Sequence, residues 1–127
     1  MIIQRLFSNN DPFQKYKKIN QSLTSKFGKD GLYFYFWKDN RTGADCFCLS
    51  VDDQDFCCFG YKDNTYYKLS RPESFNLARE KKIEENEIDS YIQESIEGDI
   101  SDSFLLKDSK RKDVLIEKEC KYILGSL

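Results

Sequence analysis

The feature that most constrains the fold is a block of short apolar runs between residues 31 and 69, separated by connections of three to six residues. The first run, from Leu32 to Trp37, is largely aromatic, which is typical of a strand. Later runs cover about residues 44–51, 56–61 and 65–69. Parallel strands need a crossover of roughly a dozen residues, so connections this short allow only antiparallel neighbours. The sequence therefore predicts a four-stranded antiparallel meander sheet.

A helix is predicted before this block. The segment from Ser8 to Pro12 is typical of a helix start, because proline has no N–H to lose in the first turn. Gly28 is typical of a helix end. Between them, apolar residues recur at spacings of three and four and form one stripe: Phe13, Tyr16, Ile19, Leu23 and Phe27.

Helical patterns also follow the sheet block. They predict helices over about residues 88–98 and 109–124, each ending at or just before a glycine. Residues 79–85 could be helix or an exposed connection, and residues 100–106 a short strand or a packed loop. We therefore predict a single α+β domain over residues 1–127, with an N-terminal helix, the four-stranded meander and two or three C-terminal helices packed on the sheet. The predicted core contains Tyr16, Ile19, Leu23, Phe34, Phe36, Phe47, Leu49, Phe59, Ile92, Ile116 and Ile123.

The chain contains no histidine, so the commonest general base and metal ligand is missing. A Ser-His-Asp triad, a Cys-His protease and a histidine-based metal site are thereby excluded. Glycine-rich phosphate-binding motifs and the nucleophile elbow of hydrolases are also absent from the sequence. We therefore expect a protein that is not an enzyme and that binds no metal or other cofactor. We expect it to be cytoplasmic, because the sequence shows neither a signal-peptide pattern nor an apolar run of roughly 20 residues.

Five cysteines in a chain without a secretion signal are expected to be reduced thiols. If hairpin positions whose numbers sum to 107 face each other, Cys46, Cys48 and Cys57 share one sheet face and Cys58 lies on the other. A metal site there would need a fourth ligand and lacks the usual spacing of a zinc knuckle. Buried thiols in a hydrophobic sheet are the preferred interpretation.

Charge is unevenly distributed along the chain, whose net charge is only −2. Residues 80–102 contain nine carboxylates and two lysines. Such a run is commonly a solvated helix face, but it could also attract a cationic partner, such as a nuclease cleft that normally holds phosphates. Four of the carboxylates, at positions 80, 84, 87 and 94, could share one helical face. We predict that a partner is bound by Glu80, Glu84, Glu85, Glu87, Asp89, Glu94 and Glu97.

A second candidate surface combines the lysines of residues 15–29 with Tyr33, Tyr35 and Trp37. Aromatic side chains beside lysines can stack and neutralise single-stranded nucleic acid. The aromatic run lacks the glycine-bearing pattern of RNA-binding sheets, however, and a net negative chain opposes phosphate binding. A strand packed in the core is the simpler interpretation, and we expect neither nucleic acid nor a membrane as a partner.

In length, acidity, lone-domain architecture and aromatic sheet, the chain resembles the immunity proteins that protect bacteria from contact-dependent growth-inhibition and other polymorphic toxins. This resemblance is carried by overall character and by no diagnostic motif. It implies a protein that binds one cognate toxin, commonly a basic nuclease domain, and blocks its active site or an adjacent surface. The alternatives are a phage-type inhibitor or other acidic interaction protein, and a small enzyme that uses carboxylates or a thiol.

Overall fold

The computed structural model describes residues 11–28, 31–51, 54–70, 76–105 and 111–127, without the side chains of residues 104, 105 and 111–115. The predicted helix start at residues 8–10, and residues 106–110, lie outside these ranges. The helices are α1 (Gln14–Phe27), α2 (Glu87–Ser95), a π-helical segment (Ile96–Leu105) and α3 (Arg111–Ser126). The strands are β1 (Leu32–Lys38), β2 (Asp45–Val51), β3 (Gln54–Lys62), β4 (Thr65–Leu69) and β5 (Lys81–Ile83). The predicted α+β class is confirmed, with five strands where four were predicted.

The strands form one antiparallel sheet in the order β1-β2-β3-β4-β5, so that neighbours in the chain are neighbours in the sheet. The additional strand, β5, lies in the charged stretch that was predicted to be a helix or a connection. It pairs with β4 over three residues, with Ile83 opposite Tyr66. Since Ile83 is the single apolar residue of β5, no alternation of apolar and polar residues indicates this strand.

The β2–β3 hairpin has a different register from the predicted one. It begins with Val51 opposite Gln54, and a β-bulge with Phe56 as its additional residue follows. Beyond the bulge, Leu49 lies opposite Cys57, so the numbers of paired residues sum to 106 rather than 107. A shift of one residue exchanges the two faces of a strand. The predicted distribution of cysteines between the faces is therefore wrong.

All three α helices pack on one face of the sheet and share an apolar cluster with it, the main cluster. Tyr16 of α1 stacks on Phe47 of β2 with ring centroids 4.9 Å apart, and Phe47 stacks on Phe59 at 5.1 Å. Ten of the eleven predicted core residues are buried, while Phe36 is half-buried at the margin of the cluster. There the ammonium of Lys17 lies 5.4 Å from the Phe36 ring centroid.

The helix ends follow the predictions in part. Gly28 ends α1 as predicted, with a φ of 86°, and its N–H donates to the carbonyl of Thr24 at 2.8 Å. Gly98 does not end the second helix, because the π-helical segment continues through it. That segment also includes residues 100–105, so neither the predicted strand nor the predicted loop is present there. Among the described residues, no helix combines the length and the apolarity needed to cross a membrane.

Side chains from two helices cover the outer edge of β1. The N–H of Phe34 donates to Oδ1 of Asn20 in α1 at 2.8 Å, and the N–H of Leu32 donates to Oε1 of Glu119 in α3 at 3.2 Å. Glu119 is fully buried, and a Cβ atom at position 31 would overlap its carboxylate. Gly31 is therefore required for the close approach of α3 to this edge.

The opposite face of the sheet contains a smaller apolar cluster, the second-face cluster: Ala44, Cys46, Cys48, Cys58, Tyr67 and Leu69, with Tyr35 and Trp37 packed against it. Buried Ser50 lies beside it and donates to Oδ1 of Asp55 at 2.6 Å. The hydroxyl of Tyr35 donates to the other oxygen of the same carboxylate at 3.2 Å. Ser50, Tyr35 and Asp55 are thus joined by hydrogen bonds on this face.

Candidate protein-binding site

The predicted acidic segment spans several elements and does not lie on one helix. Glu80 precedes β5, whereas Glu84 and Glu85 connect β5 to α2. The N–H of Glu84 donates at 2.8 Å to Oε2 of Glu87, the first residue of α2, and this bond fixes the entry into the helix. Because β5 intervenes, positions 80, 84, 87 and 94 do not share a helical face, and that prediction is wrong.

Glu80 has a structural role. Its side chain has no exposed surface. One carboxylate oxygen accepts hydrogen bonds from the N–H and the hydroxyl of Ser70 at 2.9 and 3.2 Å, and the other accepts from the N–H of Asn76 at 3.1 Å. The guanidinium of Arg79 lies 3.9 Å away. Burial leaves this carboxylate no surface to offer a partner, so Glu80 is excluded from the candidate site.

Three of the predicted carboxylates, Glu84, Glu85 and Asp89, line an open cleft of about 650 Å³. Residues at the start of α1, including Asp11 and Lys15, form its other wall. Four carboxylates and one lysine give the cleft an acidic character. Its volume is in the range of pockets that hold a small ligand or a few side chains of a partner.

Asp89 is held by α1. Its Oδ2 forms an ion pair with Lys15 at 2.6 Å, and its Oδ1 accepts a hydrogen bond from the hydroxyl of Tyr16 at 2.5 Å. The ammonium of Lys15 also donates to the main-chain oxygen of Leu127 at 3.2 Å. Burial, together with the hydrogen bond and charge of Asp89, raises the pKa of Tyr16 far above its ordinary value. Tyr16 therefore remains a hydrogen-bond donor and fastens α1 to α2.

Glu85 lies beside a second phenol, that of Tyr66 on β4. Burial raises the pKa of Tyr66 to about 12, with additional contributions from the charge of Glu85 and from a hydrogen bond between the two side chains. The hydroxyl of Tyr66 also donates to the carbonyl of Pro12 at 3.4 Å. Tyr66 thus contacts two residues of the cleft walls, Glu85 and Pro12, and connects them to β4.

The remaining predicted carboxylates are all exposed: Glu87 and Glu94 lie on the outer face of α2, and Glu97 follows in the π-helical segment. Lys81 of β5 is the nearby cation, and its pKa is raised by a hydrogen bond to Tyr91 and by the charges of Glu87 and Glu94. The isoleucines of α2 face the core on the opposite side. We define the acidic surface as the exposed carboxylates Glu84, Glu85, Glu87, Glu94 and Glu97.

The α1 wall of the cleft was not predicted from the sequence. The sequence pattern does place Asp11 at the predicted helix start and Tyr16 in the predicted apolar stripe, but it indicates no role in a binding site for either residue. No pattern indicates that α1 packs beside the start of α2, more than 70 residues later, because that contact depends on how the helices pack on the sheet. The roles of Lys15 and Tyr66 were not predicted either, because their contacts also depend on how distant parts of the chain pack together.

The predicted trio Cys46, Cys48 and Cys57 is not brought together, because the bulge places Cys57 in the main cluster on the helix-covered face. Cys48 and Cys58 form a disulfide, so the expectation of five reduced thiols is wrong for this pair. Cys46, Cys57 and Cys120 are buried thiols, and burial raises their pKa values to about 12, 11 and 12. Within the described ranges, no three side chains of metal-binding type are placed to hold an ion.

The components of the alternative nucleic-acid surface lie apart. Tyr33, Tyr35 and Trp37 follow one another along β1, with ring centroids 6.3 and 5.1 Å apart, on the face opposite the helices. Helix α1, which carries the four described lysines of that surface, packs on the other face, and Lys29 is outside the described residues. Aromatic stacking and phosphate neutralisation would therefore need to occur on different faces of the sheet.

Comparisons of the chain with protein-family models, with curated proteins and with solved structures gave no match. The fold and the site define an α+β protein with an acidic cleft and an adjacent acidic helix.

Proposed function

We propose that the protein is a non-catalytic, cytoplasmic inhibitor that binds a cationic bacterial toxin of nuclease type and covers its active site or an adjacent surface. The observation that carries this proposal is the acidic surface, five exposed carboxylates beside a cleft of about 650 Å³. The same function is implied by the resemblance to immunity proteins of contact-dependent growth-inhibition systems.

Electrostatics favours a basic partner for this surface. A nuclease cleft must be cationic to hold phosphates, and clustered carboxylates raise the rate at which such a surface is encountered. The cleft offers further acceptors in Asp11 and Asp89, although Lys17 and Lys15 partly neutralise them through ion pairs of 2.6 Å each. The unpaired charge is therefore greatest along the connection before α2 and the outer face of α2.

The chemistry of the described thiols supports a non-catalytic role. A thiol-dependent enzyme needs a thiolate at neutral pH, and burial raises the pKa of Cys46, Cys57 and Cys120. Among the carboxylates of the cleft, Asp89 is engaged by Lys15 and Tyr16. An acidic interaction protein with a different basic target would use the same surface.

Two charges on α2 provide a direct test. The variant with Glu87→Gln and Glu94→Gln should associate more slowly with the proposed partner, a basic nuclease domain that the wild type inhibits, by roughly threefold to tenfold at low ionic strength, because exposed charges act mainly on encounter. The difference should shrink as salt is added. Stopped-flow fluorescence at several ionic strengths measures both effects, and a nuclease assay measures inhibition.

A matched control separates local from net charge. Asp45→Asn with Glu117→Gln makes the same charge change on β2 and α3, outside the acidic surface, and should leave the association rate near that of the wild type. If both variants slowed association equally, the effect would come from net charge and not from the acidic surface. If the wild type neither binds nor inhibits any basic nuclease domain, the proposed function is wrong.

A further inference from the structure

Cys48 and Cys58 stand directly opposite each other on β2 and β3 and form a disulfide between the two strands. Their Cα atoms are 4.1 Å apart, close to the spacing of the narrow residue pairs in an antiparallel ladder. Cys46, the neighbouring cysteine on the same face, lies opposite Gly60. The ladder therefore selects one cysteine pair and gives the third cysteine no partner thiol across the strands.

The second-face cluster encloses this pair. Cys48 is fully buried, whereas Cys58 is 5% exposed. Leu69 of β4 lies directly opposite Cys58, and Tyr67 belongs to the same cluster. Thiol–disulfide exchange requires a thiolate to reach a sulfur atom. A small thiol therefore reaches the bond from the side of Cys58, after a local opening of the cluster.

The other thiols do not compete for the bond. Cys57 and Cys120 belong to the main cluster on the opposite face of the sheet. Cys46 shares the face of the pair, but burial and the charges of Asp39 and Asp45 raise its pKa to about 12. At neutral pH it is a protonated thiol rather than the thiolate that attacks a disulfide. Rearrangement of the disulfide within the protein is thus disfavoured.

We propose that the Cys48–Cys58 pair is a reversible redox link, opened and closed by a small thiol and its disulfide, that changes the stability of the sheet without changing the fold. In the opening direction, a glutathione thiolate attacks Sγ of Cys58, the Cys48–Cys58 bond breaks, and Cys48 leaves as a thiolate that takes a proton. A second glutathione attacks the mixed disulfide and releases Cys58 as a thiol. Two glutathione molecules are oxidised to one glutathione disulfide, and the protein disulfide is reduced to two thiols.

The fold persists in both states because the strands are held together independently of the bond. Ladder pairs flank the cysteines on both sides, and Phe47 and Phe59 pack across the same two strands in the main cluster. A cytosolic disulfide is usually transient and redox-sensing, which suits a link that can open without unfolding. Closing a hairpin loop of this length raises the thermal midpoint by roughly 5 to 10 °C in a chain of this size.

The test combines thiol mapping with thermal unfolding. Folded wild type is equilibrated with glutathione at reducing or oxidising ratios, denatured, alkylated and mapped by mass spectrometry. We expect five alkylated cysteines after the reducing buffer, and after the oxidising buffer three, with one disulfide that joins the peptides of Cys48 and Cys58. The thermal midpoint should be higher in the oxidising buffer by the amount given above.

Two variants test whether the redox dependence of the thermal midpoint comes from the Cys48–Cys58 pair. Cys58→Ala should abolish the redox dependence of the midpoint, and Cys120→Ala, which removes a buried thiol on the other face, should retain it. Five alkylated cysteines in the wild type at every glutathione ratio would overturn the proposal. A midpoint difference that persists in Cys58→Ala would also overturn it. Mapping of the wild type needs no variant, so the proposal stays testable if Cys58→Ala does not fold, and none of these measurements depends on toxin binding.

Discussion

Glu80 and Glu84 lie four positions apart in one charged run, yet Glu80 is buried and Glu84 faces solvent. The sequence records the same charge at both positions. The difference comes from the tertiary structure. The backbone N–H groups of Ser70 and Asn76 both point at the carboxylate of Glu80 and satisfy it in the interior. Five of the seven predicted site residues are exposed and a sixth lines the cleft, because charge density does predict surface position on average.

Glu80→Gln should destabilise the fold by about 1–3 kcal/mol, because an amide cannot accept hydrogen bonds at both of its terminal atoms and a buried donor loses its partner. Glu84→Gln, an equal change of charge on the surface, should change the free energy of unfolding by less than about 0.5 kcal/mol. Urea unfolding followed by circular dichroism measures both. Equal free energies of unfolding for the two variants would contradict the structural role of Glu80.

The sequence predicts those helices and strands in which apolar residues recur at a regular spacing. Helix α1 and strand β4 match their predicted extents, and β1 extends one residue beyond its predicted run. Strand β5 has too few residues to show a period. Gly98 favours a helix end, but Ile96 and Ile100 are buried on either side of it and keep the chain helical. Tertiary packing overrides the local signal there.

Strand β1 allows a test of its two neighbouring core phenylalanines. Phe34 is 2% exposed within the main cluster, so Phe34→Ala should cost about 3–5 kcal/mol in the free energy of unfolding. Phe36 is half-buried, and Phe36→Ala should cost about half as much because less apolar surface returns to water. Chemical denaturation of both variants gives the comparison. A larger loss for Phe36→Ala would mean that the end of β1 is better packed than the structure describes.

At the scale of the whole molecule, α1 is the element that joins the other layers. Tyr16 binds Asp89 of α2, Asn20 binds the edge of β1, and Lys15 reaches both Asp89 and Leu127. The helix therefore couples the acidic segment to both the sheet and the end of α3. Its polar contacts, unlike its apolar stripe, have no periodic signal in the sequence.

The pKa of Tyr16 leads to a pH dependence of stability. Its folded-state pKa is raised above the ordinary value near 10, so the folded state holds the phenolic proton more tightly than the unfolded state. This contribution to stability is complete below about pH 10 and declines as the pH rises further. Above that pH, the free energy of unfolding should fall more steeply in the wild type than in Tyr16→Phe. Denaturant unfolding across an alkaline pH series measures the slopes.

Ser126→Ala is the control for this series, since it removes a hydroxyl that does not titrate in this pH range and that donates to the carbonyl of Tyr122 at 2.8 Å. It should retain the slope of the wild type. The cysteine thiols titrate in all three proteins, so they do not contribute to the difference between them. Identical slopes for the wild type and Tyr16→Phe would exclude the Tyr16 contact as a source of alkaline instability.

The covered edge of β1 bears on the resistance of this protein to aggregation. A bare sheet edge is a template on which further chains add strands and begin to aggregate. Asn20 and Glu119 already occupy two amides of that edge, and the other edge, β5, is three residues long and carries two lysines. Short, positively charged edges repel one another. These two edges therefore disfavour the addition of further chains to the sheet as the concentration of the protein rises.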